Sequence, residues 1–206
     1  MSDRPGTVYL IGAGPGDPGL LTLRGRDCLA RADVVLYDYL AGPRLLQMAR
    51  SGAELYCLGK HGAGKLWKQA DICQRIVAEA KAGKTVARLK GGDPSVFGRL
   101  AEEVDALQSA GVPFEIVPGV TTATAAGAYA GVTITDRDRA SSVALVAGHL
   151  QADKVDGDDA PPDFAALASF PGTIVIYMGV TTAASWSGEL IANGKPAETP
   201  VVLVRR

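Results

Sequence analysis

The chain has 206 residues, 47% hydrophobic and 21% charged, with 21 basic and 22 acidic side chains for a net charge of −1. That is enough apolar material for a sizeable core in one or two domains, and the balanced charge lacks the basic footprint that phosphate backbones demand, so no nucleic acid partner is expected. No apolar run approaches the ~20 residues that span a bilayer, and the opening Met1-Ser2-Asp3-Arg4-Pro5-Gly6 lacks a signal peptide's apolar region, so a cytoplasmic protein without a membrane partner is expected.

Short β-branched runs alternate with longer helical stretches. A strand is predicted over 8–11 (Val8-Tyr9-Leu10-Ile11), ending in a glycine loop over 12–17. A helix over 22–32 follows, with Thr22 placed to cap it. Then come a strand over 34–37, a short helix over 43–48, a strand over 55–58 and a helix over 69–82 that Gly83 stops. A fourth strand over 86–89 leads through another glycine loop to a helix over 99–110, and a fifth strand covers 114–117. This alternation of continuous apolar strands with helices predicts an α/β fold around a largely parallel sheet.

Pro118-Gly119 punctuates the chain, and the composition changes after it. Residues 121–131 are rich in small side chains, with Ala at 123, 125, 126, 128 and 130; they suit either a helix packed close to a neighbour or one facing a ligand. Further strands are predicted over 143–146, 173–178 and 201–204, with an acidic surface loop over 153–163. Two α/β domains are expected, 1–117 and 118–206. Cys28, Cys57 and Cys73 form no CxxC pair, and with two histidines they make a poor zinc site. They read as small core residues, and no metal is expected.

Loops at the C-terminal ends of parallel strands are where α/β proteins bind ligands. Three here are rich in glycine, which lets backbone approach a ligand closely. The first, Gly12-Ala13-Gly14-Pro15-Gly16-Asp17, departs from a dinucleotide fingerprint because Asp17 stands where the last glycine belongs and would face pyrophosphate with the wrong charge. The second, Gly59-Lys60-His61-Gly62-Ala63-Gly64-Lys65-Leu66, nearly spells a P-loop, but Leu66 cannot ligate Mg²⁺ as the usual Ser or Thr hydroxyl does. The third, Gly91-Gly92-Asp93-Pro94, exposes main-chain groups beside one acceptor carboxylate, and its proline suits a helix start. That arrangement fits a ligand with amino and hydroxyl donors better than one with phosphate.

Taken together, these stretches resemble the tetrapyrrole methylases, and within them the branch acting on uroporphyrinogen III. The resemblance runs from Val8 to Val204. It is strongest at Val8-Tyr9-Leu10-Ile11-Gly12-Ala13-Gly14-Pro15-Gly16-Asp17-Pro18 with Leu20-Leu21-Thr22-Leu23-Arg24-Gly25, and at Arg88-Leu89-Lys90-Gly91-Gly92-Asp93-Pro94-Ser95-Val96-Phe97-Gly98-Arg99. The Tyr37-Asp38 strand ending, Leu58-Gly59-Lys60, Pro118-Gly119-Val120-Thr121, Ala128-Tyr129-Ala130-Gly131 and Tyr177-Met178-Gly179 add to it.

The resemblance implies two α/β domains of the tetrapyrrole methylase type with the cofactor in the cleft between them, and a homodimer. It implies two successive methyl transfers from S-adenosyl-L-methionine to pyrrole β-carbons of uroporphyrinogen III, giving precorrin-2 by way of precorrin-1 for sirohaem or cobalamin synthesis. Carried over by motif, Pro15, Gly91, Gly92, Asp93, Val96, Thr121, Thr122 and Met178 would contact the cofactor, while Asp38 and Lys60 would be proton acceptor and donor. Without the resemblance, Asp38 also reads as a helix cap after the second strand, and Lys60 as a solvated loop charge. The substrate's carboxylates call for cations, for which Lys60, Lys65, Lys68, Arg99 and Arg137 are candidates. Departures from the family pattern are Tyr39 in place of Arg, Asp136 in place of His, and a C-terminal domain without the family's last strand. Two other readings are another precorrin methylase of the corrin pathway and a non-catalytic S-adenosylmethionine-binding remnant.

Overall fold

A computed structural model describes residues 4–59, 67–148 and 162–205. The chain divides into two compact units, Met1–Thr122 and Ala123–Arg206. In the first, five strands form one sheet: β1 (Val8–Gly12), β2 (Val34–Tyr37), β3 (Glu54–Cys57), β4 (Val86–Lys90) and β5 (Phe114–Val117), in the order β3-β2-β4-β1-β5. Every pairing is parallel, with Val8 opposite both Val86 and Phe114, and Val34 opposite both Val86 and Glu54. Parallel neighbours need crossovers. Helices α1 (Leu23–Leu29), α2 (Pro43–Leu46), α3 (Gln69–Lys81) and α4 (Leu100–Ser109) lie on those connections.

Because side chains alternate across a strand, the sheet builds two cores. Val8, Leu10, Val34, Leu36 and Val86 join Ile72, Ile76 and Leu107 of α3 and α4 on one face. Ile11, Val35, Ala87 and Leu89 join Cys28, Leu29 and Leu45 of α1 and α2 on the other. Burial on both faces is why these strands read as apolar runs. β4 departs from that rule. Its residues Arg88 and Lys90 follow Val86 at alternate positions, and both are buried.

Thr22 caps α1, accepting a hydrogen bond from the Gly25 N–H at 3.0 Å. Other expectations are corrected. Pro94 does not open a helix, since α4 begins at Leu100 after a left-handed Arg99. Of the cysteines, only Cys28 is fully buried, with Cys57 and Cys73 half-buried.

The second unit holds α5 (Thr122–Ala130, starting at the boundary), β6 (Val143–Ala147), α6 (Phe164–Ser169), β7 (Thr173–Tyr177) and α7 (Ala183–Ala192). β6 and β7 pair in parallel, Val143 opposite Thr173. In α5 Ala123 and Ala125 are buried, and Ala128 and Ala130 are exposed. Residues 201–204 are not a strand: Val201, Val202, Leu203 and Val204 are exposed, and no strand among the described residues pairs with them. β-propensity produces a strand only where a neighbouring ladder exists. Most of the expected acidic loop, 153–161, lies outside the described residues.

Candidate active site

The ends of β1, β4 and β5 meet backbone to backbone. The Ala13 N–H donates to the Lys90 carbonyl at 2.7 Å. Beyond it the two glycine loops exchange a reciprocal pair, Gly14 N–H to Gly92 O at 3.1 Å and Gly92 N–H to Gly14 O at 2.8 Å. Gly92 has φ +68°, a left-handed backbone that side chains with a Cβ rarely adopt. Gly119, following β5, comes closer still: a Cβ there would lie 2.3 Å from the Gly92 carbonyl oxygen and 2.7 Å from the Gly12 Cα. Only hydrogen fits between these main chains.

Asp93 ties the third loop to the chain after β5. Its Oδ2 accepts from the Gly119 N–H at 2.9 Å, and its Oδ1 accepts from the Ser95 N–H at 2.8 Å and from the Ser95 hydroxyl. Burial pushes this carboxyl up, but the hydrogen bonds from Ser95 and Gly119 outweigh it and hold it below its ordinary value. A carboxylate oxygen has two lone pairs, so Oδ2 keeps one for a further donor. Thr121 and Thr122 flank the same backbone: the position a Gly92 Cβ would take is 3.7 Å from Thr122 Oγ1 and 3.9 Å from Thr121 Cα. The Val96 N–H closes a turn onto the Asp93 carbonyl at 3.3 Å, and half-buried Pro15 follows the bridging Gly14. The structure therefore brings Pro15, Gly91, Gly92, Asp93, Val96, Thr121 and Thr122 to one end of the sheet. Met178 belongs to the other unit, where it is exposed with φ +56°. There the Gly179 carbonyl accepts from Trp186 Nε1 at 2.8 Å.

Asp38 follows β2 beside these loops, its N–H donating to the Leu89 carbonyl at 3.0 Å. It is not a helix cap: α2 begins beyond Gly42, which makes no side-chain cap bond. The Asp38 carboxylate instead faces Arg88, with Oδ1 2.6 Å from Nη2. Arg88 Nε donates to Glu103 Oε1 at 3.0 Å, and Lys90 Nζ donates to Glu103 Oε2 at 2.8 Å. Gln69 Nε2 also donates to Glu103 Oε1, at 3.2 Å. Two cations and two carboxylates thus balance. Burial pulls the Arg88 guanidinium down, but Asp38 and Glu103 together leave it raised. Lys90 shifts the opposite way although it shares Glu103: burial and the Arg88 charge push it down, and it has only one carboxylate in contact. Removing one member of such a buried set leaves an uncompensated charge, a change of about 3–5 kcal/mol.

Sequence reasoning missed Arg88, Lys90 and Glu103 as a set. The signal was present: two basic residues two apart inside an otherwise apolar strand, and Glu103 one helical turn from buried Leu107. Lys60, Lys65 and Leu66, and so the near-P-loop, lie outside the described residues. Arg99, a candidate for substrate carboxylates, pairs with Glu102 through Nε and Nη2, both at 2.7 Å. Tyr39 packs on Gly59, where a Cβ would come within 2.6 Å of the Tyr39 Cβ.

Residues 7–206 match the family of Tetrapyrrole (Corrin/Porphyrin) Methylases. Siroheme synthase 1 of Klebsiella pneumoniae is 49% identical over 201 residues, covering 98% of this chain and 42% of that protein. The chain therefore spans about two-fifths of the length of such relatives. Among solved structures, the uroporphyrin-III C-methyl transferase of Thermus thermophilus complexed with S-adenyl homocysteine is 42% identical, with a TM-score of 0.77 over 93% of this chain and 78% of that one. A cobalt precorrin-4 methyltransferase is 32% identical, with a TM-score of 0.76 over 91% of this chain and 75% of that one. Glycine-welded strand ends, the Asp93 clamp and matches that run nearly end to end lead to one conclusion: the chain belongs to the tetrapyrrole methylases.

Proposed function

We propose that this chain is an S-adenosyl-L-methionine-dependent C-methyltransferase that converts uroporphyrinogen III to precorrin-2 by way of precorrin-1. The observation that carries the reading is the half-buried Asp38 carboxylate, fixed by Arg88 beside the joined glycine loops. The greater identity to the uroporphyrin-III enzyme than to the precorrin-4 enzyme, 42% against 32%, favours this substrate over later corrin intermediates. The proposal concerns the methyl-transfer step and extends to a cytoplasmic homodimer whose product feeds sirohaem or cobalamin synthesis.

The donor set suits the cofactor. At Gly92 no side chain stands in the space beside Thr121 and Thr122, the spare lone pair of Asp93 can accept from an amino or hydroxyl group, and Thr121 and Thr122 add hydroxyls. We assign its binding to Pro15, Gly91, Gly92, Asp93, Val96, Thr121, Thr122 and Met178. S-adenosyl-L-methionine, when bound, supplies a methyl group on a sulfonium and leaves as S-adenosyl-L-homocysteine.

A reduced pyrrole is electron-rich, so its β-carbon is the nucleophile and the chain need supply none. What the chain supplies is alignment, the proximity contribution to rate. As the new carbon–carbon bond forms, the pyrrole N–H becomes acidic, and Asp38 takes that proton as general base. Lys60 is assigned the return of a proton. Lys65, Lys68 and Arg137 are the cations assigned to the substrate's carboxylates, with Arg99 available where a substrate carboxylate displaces Glu102.

Incubation with uroporphyrinogen III and S-adenosyl-L-methionine tests the reading by product mass. Two added methyl groups are expected. No methylated product, or methylation only of a later precorrin, overturns it.

A further inference from the structure

We propose that Glu103 is a positioning residue for methyl transfer: acting through Arg88, it fixes the direction of the Asp38 carboxylate. This rests on the functional reading above, in which Asp38 takes the pyrrole proton.

Glu103 is fully buried on α4 and has no surface of its own to offer a substrate. Both its oxygens are committed, Oε1 to Arg88 and Gln69 and Oε2 to Lys90. Stability alone does not call for this arrangement, since packed apolar side chains of similar volume serve a core as well or better. Of the four charged members, only Asp38 reaches the surface, with 35% of its side chain exposed against 3% for Arg88 and 2% for Lys90. The line of hydrogen bonds therefore runs from an inaccessible helix residue to one accessible carboxylate.

Arginine chemistry makes that line directional. A guanidinium is planar, and its donors stand at fixed angles. With Nε held by Glu103 and Nη1 donating to the Leu89 carbonyl at 3.2 Å, the plane cannot turn, and the direction of Nη2 towards Asp38 is set. Lys90 occupies the other Glu103 oxygen, so the carboxylate cannot swing away from Arg88. No helix cap does this work, because α2 starts beyond Gly42.

The test is a double-mutant cycle on the full chain, with kcat and KM for uroporphyrinogen III from product mass and cofactor affinity from calorimetry. Glu103→Gln is expected to lower kcat about 10- to 100-fold, the scale of a displaced reacting group, with KM and cofactor affinity unchanged. In an Asp38→Asn background the same change should lower the residual rate no further, because the group it aims has lost its function. Unchanged kcat in Glu103→Gln, or an equal fold loss in both backgrounds, overturns the proposal. Arg88→Lys carries the same test if Glu103→Gln does not fold: it keeps the charge but loses the fork. Its loss of kcat should likewise vanish beside Asp38→Asn, and an undiminished or additive result again overturns the proposal. If the unaltered chain makes no methylated product, the functional reading falls and takes the inference with it; product with additive losses fells the inference alone.

Discussion

Arg88 and Asp38 meet across adjacent strands as an unequal pair: Nη2 lies 2.6 Å from Oδ1, yet the arginine side chain is 3% exposed and the aspartate 35%. The cation is sealed inside the α3–α4 face of the sheet, and the anion opens beside the glycine loops. Water can screen the pair only from the Asp38 side, so the arginine's orienting effect is little diminished by salt.

Asp38→Asn keeps an oxygen for the Arg88 donor but cannot take a proton. Turnover should fall by about 10²–10⁴-fold, the usual scale for a general base, with cofactor affinity by calorimetry unchanged. Wild-type turnover would leave Asp38 as no more than a counter-ion for Arg88.

Gly92→Val should abolish cofactor binding in a chain that still folds. The space at Gly92 is ordinary, its nearest neighbour being Thr122 Oγ1 at 3.7 Å, so the obstacle is the backbone at φ +68°. A left-handed residue with a Cβ costs roughly 1–2 kcal/mol, and β-branching adds to that. The loop is expected to relax away from this angle and carry Asp93 with it. Calorimetry giving wild-type affinity with a native circular dichroism spectrum contradicts the assignment of the cofactor to this loop.

Gly119→Ala poses the opposite problem, space rather than angle. Its Cβ would fall 2.3 Å from the Gly92 carbonyl oxygen, and neither neighbour is a side chain that can turn aside. Overpacking of this kind typically costs about 1–3 kcal/mol, which thermal unfolding would register as a lower Tm. An unchanged Tm would mean that the three strand ends are not locked.

Asp93→Asn should expose a pH-dependent contribution to stability. Burial raises the Asp93 carboxyl, but hydrogen bonds from Ser95 and Gly119 bring it below its ordinary value of 3.8. A depressed folded value means that the contribution is complete above about pH 3.8 and is lost as pH falls through the folded value. Asparagine would set an N–H against the Gly119 N–H. One lost backbone bond, about 1 kcal/mol, should lower Tm by about 2–4 °C at pH 7. The gap should narrow below pH 3.8, and a gap independent of pH would refute the hydrogen-bonded carboxylate.

The central strands β1, β2 and β4 were legible in the sequence because they are largely buried and spell themselves mostly as apolar runs, β2 to the residue. The edge strand β5 matches its expected span too, although Ile116 is exposed. Where local pattern lacked a tertiary partner, the reading failed. Residues 201–204 have the side chains of a strand and no ladder, and Pro94 has the look of a helix start six residues before α4. The glycine loops were legible as loops, but their mutual hydrogen bonds join residues far apart in the chain and leave no periodic trace. The buried charge set hid for a related reason. Glu103 stands beside Glu102, and only the fold decides that one is fully buried while the other pairs with Arg99 at the surface.

The Gly14–Gly92 bridge is a two-residue antiparallel fragment set on top of a wholly parallel sheet. Its reciprocal bonds couple the motions of two segments that the chain connects only through three intervening strands. Neither can lift without breaking a hydrogen bond of the other, so both amides should exchange with solvent at one common rate. Length is constrained in the same way: adding or deleting a single residue in either segment would turn its N–H and C=O away from the partner and lose both bonds. Loop grafting among related scaffolds would therefore succeed only when both segments are transplanted as a pair.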